Sequence, residues 1–85
     1  MQQQSPIRMI RQRRGWRAAD LARFAGMSLG AVTMVERGEL VKLPARLESA
    51  LVRLGEDIIE VRRQHEQFVM EQRRSLTMRS TLTSE

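Results

Sequence analysis

Positive charge is unevenly distributed along this 85-residue sequence, and arginine supplies nearly all of it. Residues 1–55 contain ten Lys and Arg against four Asp and Glu, a net charge of +6, whereas residues 56–85 have a net charge of −1. A basic surface attracts the phosphate backbone of nucleic acids and speeds encounter with it. The charge surplus alone is equally consistent with a solvated surface that keeps the protein in solution.

Residues 26–38 have the pattern of a short helix that follows a tight turn. A glycine stands at each end of the segment, Ser28 can cap the helix, and Val32 and Val35 give it an apolar side. A second short helix is predicted just before it, over about residues 17–25. Together they form a helix–turn–helix pattern, the arrangement that inserts its second helix into a DNA groove.

The sequence offers little for catalysis or for metal binding. It has no cysteine, which excludes disulfides and thiolate metal sites and suits a reducing compartment. His65 is the only histidine, and no converging carboxylates accompany it. We therefore expect no enzymatic activity, no cofactor and no metal site. No apolar run reaches membrane-spanning length and the start lacks the apolar stretch of a signal peptide, so we expect a cytoplasmic or nucleoid-associated protein without membrane contact.

Glycine, proline and apolar spacing divide the chain into five helices and predict an all-α fold. Ser5 and Pro6 begin the first helix, and Pro44 begins the fourth. The fifth is longer and is predicted to end near residue 74. The predicted organisation is a helix–turn–helix domain over residues 5–55, a C-terminal helix within 56–76 and a disordered tail over 77–85.

From residue 7 to residue 55, residue types that characterise a known family of DNA-binding domains occur at that family's spacing, without a gap. They are Ile7, Ile10, Arg11, Trp16, Leu21, Ala22, Gly26, Ser28, Val32, Val35, Glu36, Arg37, Gly38, Leu47, Ala50, Leu51, Leu54 and Gly55. The stretch ending at Ser28 is similar to the run "Leu-Ser-Gln-x-x-Leu-Ala…Gly-x-Ser", and residues 32–38 are similar to "Ile-x-x-Ile-Glu-x-Gly". Both runs are typical of the Cro/C1-type (XRE-family) phage repressors, whose DNA-binding domain this segment resembles.

This resemblance implies a five-helix, lambda-repressor-like fold with a longer C-terminal helix. It implies a homodimeric regulator of transcription, a repressor of a bacterial, phage or mobile-element promoter, with helix 28–37 in the major groove of double-stranded DNA. It also implies an ion pair between Arg11 and Glu36 that joins the first and third helices. Arg11 would then be structural and not a DNA contact.

The third helix departs from the pattern at the positions that the resemblance turns toward the bases. These positions are Ser28, Leu29, Gly30, Thr33 and Met34. Bidentate readout of a base needs Arg, Lys, Asn or Gln, and none of these residues occurs there. The family's glutamine near the start of the second helix is Ala18 here.

Three interpretations of this apolar helix are open. In the first, Leu29 contacts thymine methyl groups, sequence preference is modest or read through DNA shape, and arginines and a lysine hold the phosphates. Those cations are Arg8, Arg13, Arg14, Arg17, Arg23, Arg37, Lys42 and Arg46. In the second, Leu29, Met34 and Phe24 bind another protein, as in an anti-activator or assembly subunit. In the third they are buried in a dimer of this chain. The positive charge favours the first.

The fifth helix carries apolar residues at heptad spacing, which is typical of a helix that packs against another helix. The residues that we expect at a contact with a second copy are Ile58, Val61, His65, Phe68 and Val69. The alternative is that this helix packs back on its own domain. Because a five-helix monomer of this size would leave Phe68 and Val69 poorly covered, we expect a homodimer.

Overall fold

The computed structural model describes residues 4–83, with side chains described for residues 4–75. Within this range the chain forms five α-helices and no β-strand, so the predicted all-α fold is confirmed. The helices are α1 (Pro6–Arg13), α2 (Ala18–Ala25), α3 (Leu29–Glu36), α4 (Ala45–Arg53) and α5 (Ile58–Thr83). No helix in the described part of the chain is both long enough and apolar enough to cross a membrane.

The helix starts follow from capping chemistry, largely as predicted. Ser5 caps α1, because its Oγ accepts hydrogen bonds from the backbone N–H groups of Ile7 and Arg8. Ser28 caps α3 in the same way, with its Oγ 3.1 Å from the backbone nitrogen of Ala31. Pro44 precedes α4 as its N-cap, one residue earlier than a proline at the first helical position would stand. These contacts fix where α1 and α3 begin.

The core lies where α1, α2, α3 and α4 converge, and α5 closes it. Its buried members are Ile7, Ile10, Leu21, Ala22, Val32, Val35, Leu43, Leu47, Leu51 and Val61. The predicted apolar side of α3, Val32 and Val35, is thus confirmed, and Leu54 is half-buried at the edge of the core. Packing of these side chains holds α3 with one apolar face inward and the opposite face outward.

The fifth helix runs further than predicted. It continues to Thr83, so the prediction that it ends within residues 56–76 is wrong. The prediction of a disordered tail from residue 77 is wrong for residues 77–83, which are helical. Residues 84–85 lie outside the described residues. No glycine or proline interrupts the sequence between residues 75 and 83, so nothing there stops a helix once it has begun.

The residues predicted to contact a second copy lie instead against this chain's own body. Val61, His65, Phe68 and Val69 are all buried within the single chain, and Ile58 packs half-buried against the core. The prediction of a dimer seam at these residues is therefore wrong. The seam is covered because α5 packs on α1 and α4. His65 Nε2 also lies 2.7 Å from the carbonyl oxygen of Leu40, which holds α5 against the loop before α4. Heptad spacing marks the buried face of α5 without saying which surface covers it.

Candidate nucleic-acid interface

The two helices α2 and α3 are joined by a tight turn that the sequence dictates closely. Gly26 adopts the left-handed conformation with φ 69°, which a residue with a Cβ atom rarely takes. The backbone nitrogen of Met27 then lies 2.9 Å from the carbonyl oxygen of Ala22, and Ser28 begins the next helix. This turn sets the direction in which α3 leaves the body of the protein.

Helix α3 has a buried face and an exposed face. Val32 and Val35 are fully buried in the core. On the opposite side Leu29 is 51% exposed and Met34 is 43% exposed. Ser28 and Gly30 are exposed as well, and Thr33 is half-buried. The five residues predicted to face the bases therefore share one accessible surface, which we call the α3 face.

Hydrogen-bonding capacity on the α3 face is small. The Thr33 hydroxyl donates to the carbonyl oxygen of Leu29 at 2.9 Å, so only its oxygen lone pairs are available to a ligand. Ser28 Oγ accepts from the backbone of Ala31, so its hydroxyl hydrogen can still be donated. Single hydrogen bonds and apolar contacts are what this surface can offer, and bidentate recognition of a base is not among them.

An ion pair between α1 and α3 fixes the orientation of the third helix. The predicted pair is present: Arg11 Nε lies 2.7 Å from Glu36 Oε2 and its Nη2 lies 2.9 Å from Glu36 Oε1, so the contact is bidentate. Arg11 Nη1 also donates to the carbonyl oxygen of Trp16 at 3.2 Å. The hydrogen bonds to Glu36 raise the pKa of Arg11 above its usual value, against the opposing effect of burial. Arg11 is therefore structural.

Two arginines of α4 stand beside the turn between α2 and α3. Arg46 Nη1 donates to the carbonyl oxygen of Gly26 at 2.8 Å. Arg53 Nη2 donates to the carbonyl oxygen of Phe24 at 3.1 Å, and its guanidinium lies 4.5 Å from the centre of the Phe24 ring. Both guanidinium groups are held at the carboxyl end of α2 and keep other N–H donors free.

Arg53 was missed by reasoning from the sequence. The signal was present, because Arg53 follows Arg46 by seven residues and two helical turns bring both to the same face of α4. The two side chains border a shallow cleft with Ala25, Gly26, Ala45 and Ser49. This cleft places paired positive charge next to the amino end of α3.

The other predicted phosphate contacts divide into free and engaged cations. The Arg17 side chain is 87% exposed and makes only a 3.7 Å contact with Asp20. Four exposed cations have no hydrogen-bond or ion-pair partner among the described residues: Arg8, Arg23, Arg37 and Lys42. Arg37 lies at the carboxyl end of α3, about 13.5 Å along the helix from Ser28. These side chains are available to an anionic ligand.

Arg14 is engaged within the chain. Its Nη2 donates to the carbonyl oxygen of Leu54 at 2.7 Å and lies 3.3 Å from Glu56 Oε2, with the side chain 27% exposed. Arg13 is more exposed but also approaches Glu56, at 3.7 Å. The contacts engage Nη2 of Arg14 and pair this guanidinium with a carboxylate, so they support a structural role and lend no support to the prediction that Arg14 holds a phosphate. Arg14 ties the end of α1 to the turn between α4 and α5.

His65 is a packed side chain on α5. Its Nε2 donates to the carbonyl oxygen of Leu40, and burial lowers its pKa below the usual 6.5, with the bond to Leu40 opposing. Nδ1 is buried without a partner among the described residues. No three His, Asp or Glu side chains converge in residues 4–75 as a metal site would require.

The comparisons with known proteins add no relative from which a role could be transferred. No family model, no curated protein and no solved structure matched the chain.

Proposed function

We propose that this protein binds double-stranded DNA through the α3 face and regulates transcription, as a repressor of the Cro/C1 type in the bacterial cytoplasm or on the nucleoid. The observation that carries the proposal is the exposed α3 face beside the arginines of α4. Leu29 and Gly30 open the first turn of α3, and Arg46 is bonded to the turn just before it. A short exposed helix flanked by fixed cations fits entry into a major groove.

Phosphate contacts would supply most of the affinity in this proposal. Arg46 and Arg53 are the pre-organised contacts, because backbone carbonyls already hold their guanidinium groups. The exposed cations Arg17, Arg23 and Lys42 would add further ones. Leu29 and Met34 would contact thymine methyl groups, which gives a modest preference for sequence.

Two copies binding together would suit the two-fold symmetry of duplex DNA, and we propose a homodimer on these grounds. Since the predicted seam on α5 is buried, the pairing surface must lie elsewhere. Val52 and Ile59 are exposed apolar residues at 55% and 73%, on α4 and at the start of α5. Glu48 and Arg62 form an ion pair at 2.6 Å between α4 and α5, and Val41 is exposed beyond it. If two copies contact each other through these residues, Val52→Asp should lower the molar mass measured by light scattering toward that of the monomer.

The test is the salt dependence of DNA binding, measured by fluorescence anisotropy with a duplex of about 20 base pairs. Replacing both Arg46 and Arg53 by Gln should weaken binding to every sequence and reduce the slope of log affinity against log salt by about two. Arg63→Gln is the matched control, because Arg63 is exposed on α5 and pairs with Glu60. An unchanged slope in the double variant would contradict the proposal.

A second candidate function is a protein-interaction module that uses the same surface. The exposure of Leu29 and Met34 favours it, since apolar residues with a flexible thioether suit an adaptable protein interface. Leu29→Ala and Met34→Ala separate the two functions. Loss of DNA sequence preference supports groove binding, whereas loss of a protein partner with DNA binding intact supports the module.

A further inference from the structure

A second basic site lies away from the amino end of α3. It is a cleft of about 420 Å³ between the start of α1, the end of α3 and the middle of α5. Its polar walls are formed by Gln4, Ser5, Arg8, Arg37 and Gln72, and we call it the Arg8–Arg37 cleft. Its size is within the range of small-ligand sites.

The charges in this cleft are unbalanced. Glu36 also lines it, but both of its carboxylate oxygens are engaged by Arg11 at 2.7 and 2.9 Å. Arg8 and Arg37 have no partner among the described residues. Arg8 also stands in the first turn of α1, where the helix dipole is positive and where no acidic residue occurs. Two guanidinium groups and a positive helix end therefore face the cleft, and the one carboxylate that lines it is already engaged by Arg11.

The cleft is also rich in hydrogen-bond donors. Ser5 is buried, and its Oγ accepts from the backbone nitrogens of Ile7 and Arg8, which leaves its hydroxyl hydrogen to be donated. Gln4 and Gln72 add side-chain amide groups that can turn their N–H donors inward. Positive charge lined by several hydrogen-bond donors is the chemistry that binds a phosphate group.

We propose that the Arg8–Arg37 cleft binds a phosphate group. The bound phosphate belongs either to the DNA backbone or to a free phosphate compound such as a nucleotide. An anion there would bring the opposite charge to the two guanidinium groups and to the start of α1. The proposal does not depend on DNA binding by the α3 face, because the cleft adjoins the opposite end of α3.

The first arm of the test uses inorganic pyrophosphate as the probe. The intact ¹⁵N-labelled protein is titrated while the arginine Nε–Hε and glutamine amide NMR signals are followed. We expect saturable shifts at Arg8, Arg37 and Gln72, with affinity at least about fivefold weaker in Arg8→Gln and in Arg37→Gln, each losing one charge-assisted contact. Arg63→Gln should bind as the parent protein does. Shifts that do not saturate, or saturable binding that survives in the Arg8→Gln/Arg37→Gln double variant, would overturn the proposal.

The second arm identifies the source of the phosphate. Duplex DNA is titrated with the same variants over a range of salt concentrations. If the DNA backbone occupies the cleft, each variant lowers the salt slope by about one. If DNA binding is unchanged in variants that have lost pyrophosphate, the cleft serves a free phosphate compound. A parent protein that binds pyrophosphate but no DNA would contradict the proposed regulator and still support the cleft.

Discussion

Substitution of Gly38 by alanine tests whether α5 packs on this chain's own body. Gly38 has φ 78°, and a Cβ atom added to it would lie 3.2 Å from Phe68 Cε2 and 3.2 Å from Gln72 Cγ. A left-handed non-glycine residue costs roughly 1–2 kcal/mol, and overpacking costs roughly 1–3 kcal/mol more. We expect Gly38→Ala to lower the free energy of unfolding by roughly 2–5 kcal/mol.

Gly15 provides the matched control for this substitution. Its φ is 71°, close to that of Gly38, but a Cβ atom there would meet no other atom within 4 Å. Gly15→Ala should therefore cost only the conformational part, roughly 1–2 kcal/mol. The difference between the two variants isolates the contact of α5 with the Gly38 turn.

The assay is urea unfolding followed by helical circular dichroism and by the fluorescence of Trp16, the only tryptophan. A difference of about 1 kcal/mol between the two variants corresponds to about 4–8 °C in the thermal midpoint for a domain of this size. Equal losses of stability in Gly38→Ala and Gly15→Ala would refute the placement of Phe68 and Gln72 against this turn. That result would also refute the conclusion that the α5 residues predicted to contact a second copy are buried within the single chain.

Three further predictions concern the ion pairs and the histidine. Arg11→Ala should cost about 3 kcal/mol of unfolding free energy, because Glu36 is left buried without its partner, and Arg11→Met with Glu36→Leu should recover most of it in urea unfolding. Stability should fall as the pH drops through about 6.5, because burial lowers the pKa of His65 in the folded state and the unfolded chain therefore takes up a proton first; His65→Gln should remove this component of the pH dependence. Arg14→Gln should lower the thermal midpoint by losing the contacts to Leu54 and Glu56, while the salt slope of DNA binding stays as in the parent protein.

Local chemistry was sufficient to predict most of the helix boundaries and the shape of the α3 face. Ser5 and Ser28 cap their helices through contacts with residues two or three positions away, which the sequence displays directly. The alternation of buried and exposed positions along α3 follows from helical geometry once Val32 and Val35 are assigned to the core. The Arg11–Glu36 pair was predicted by resemblance, and the structure contains it.

The placement of α5 and the role of Arg14 could not be predicted in this way. His65 meets Leu40 and Arg14 meets Glu56 across 25 and 42 residues of chain, and no local pattern encodes such contacts. An apolar stripe at heptad spacing looks the same whether a second copy or the chain's own α1 covers it. Likewise, the sequence around an arginine at a helix end does not indicate whether its guanidinium will hydrogen-bond to a backbone carbonyl oxygen or to a phosphate.

The most direct measurement of the central claim is an NMR titration of the intact protein with a duplex of about 20 base pairs at low salt. Insertion of α3 into the groove predicts that the Leu29 and Met34 methyl signals and the Gly30 amide signal shift most. The signals of Arg63 and Met70, exposed on α5, should move little. Shifts confined to α5, or no saturable shift on the α3 face, would contradict the assignment of this surface to DNA.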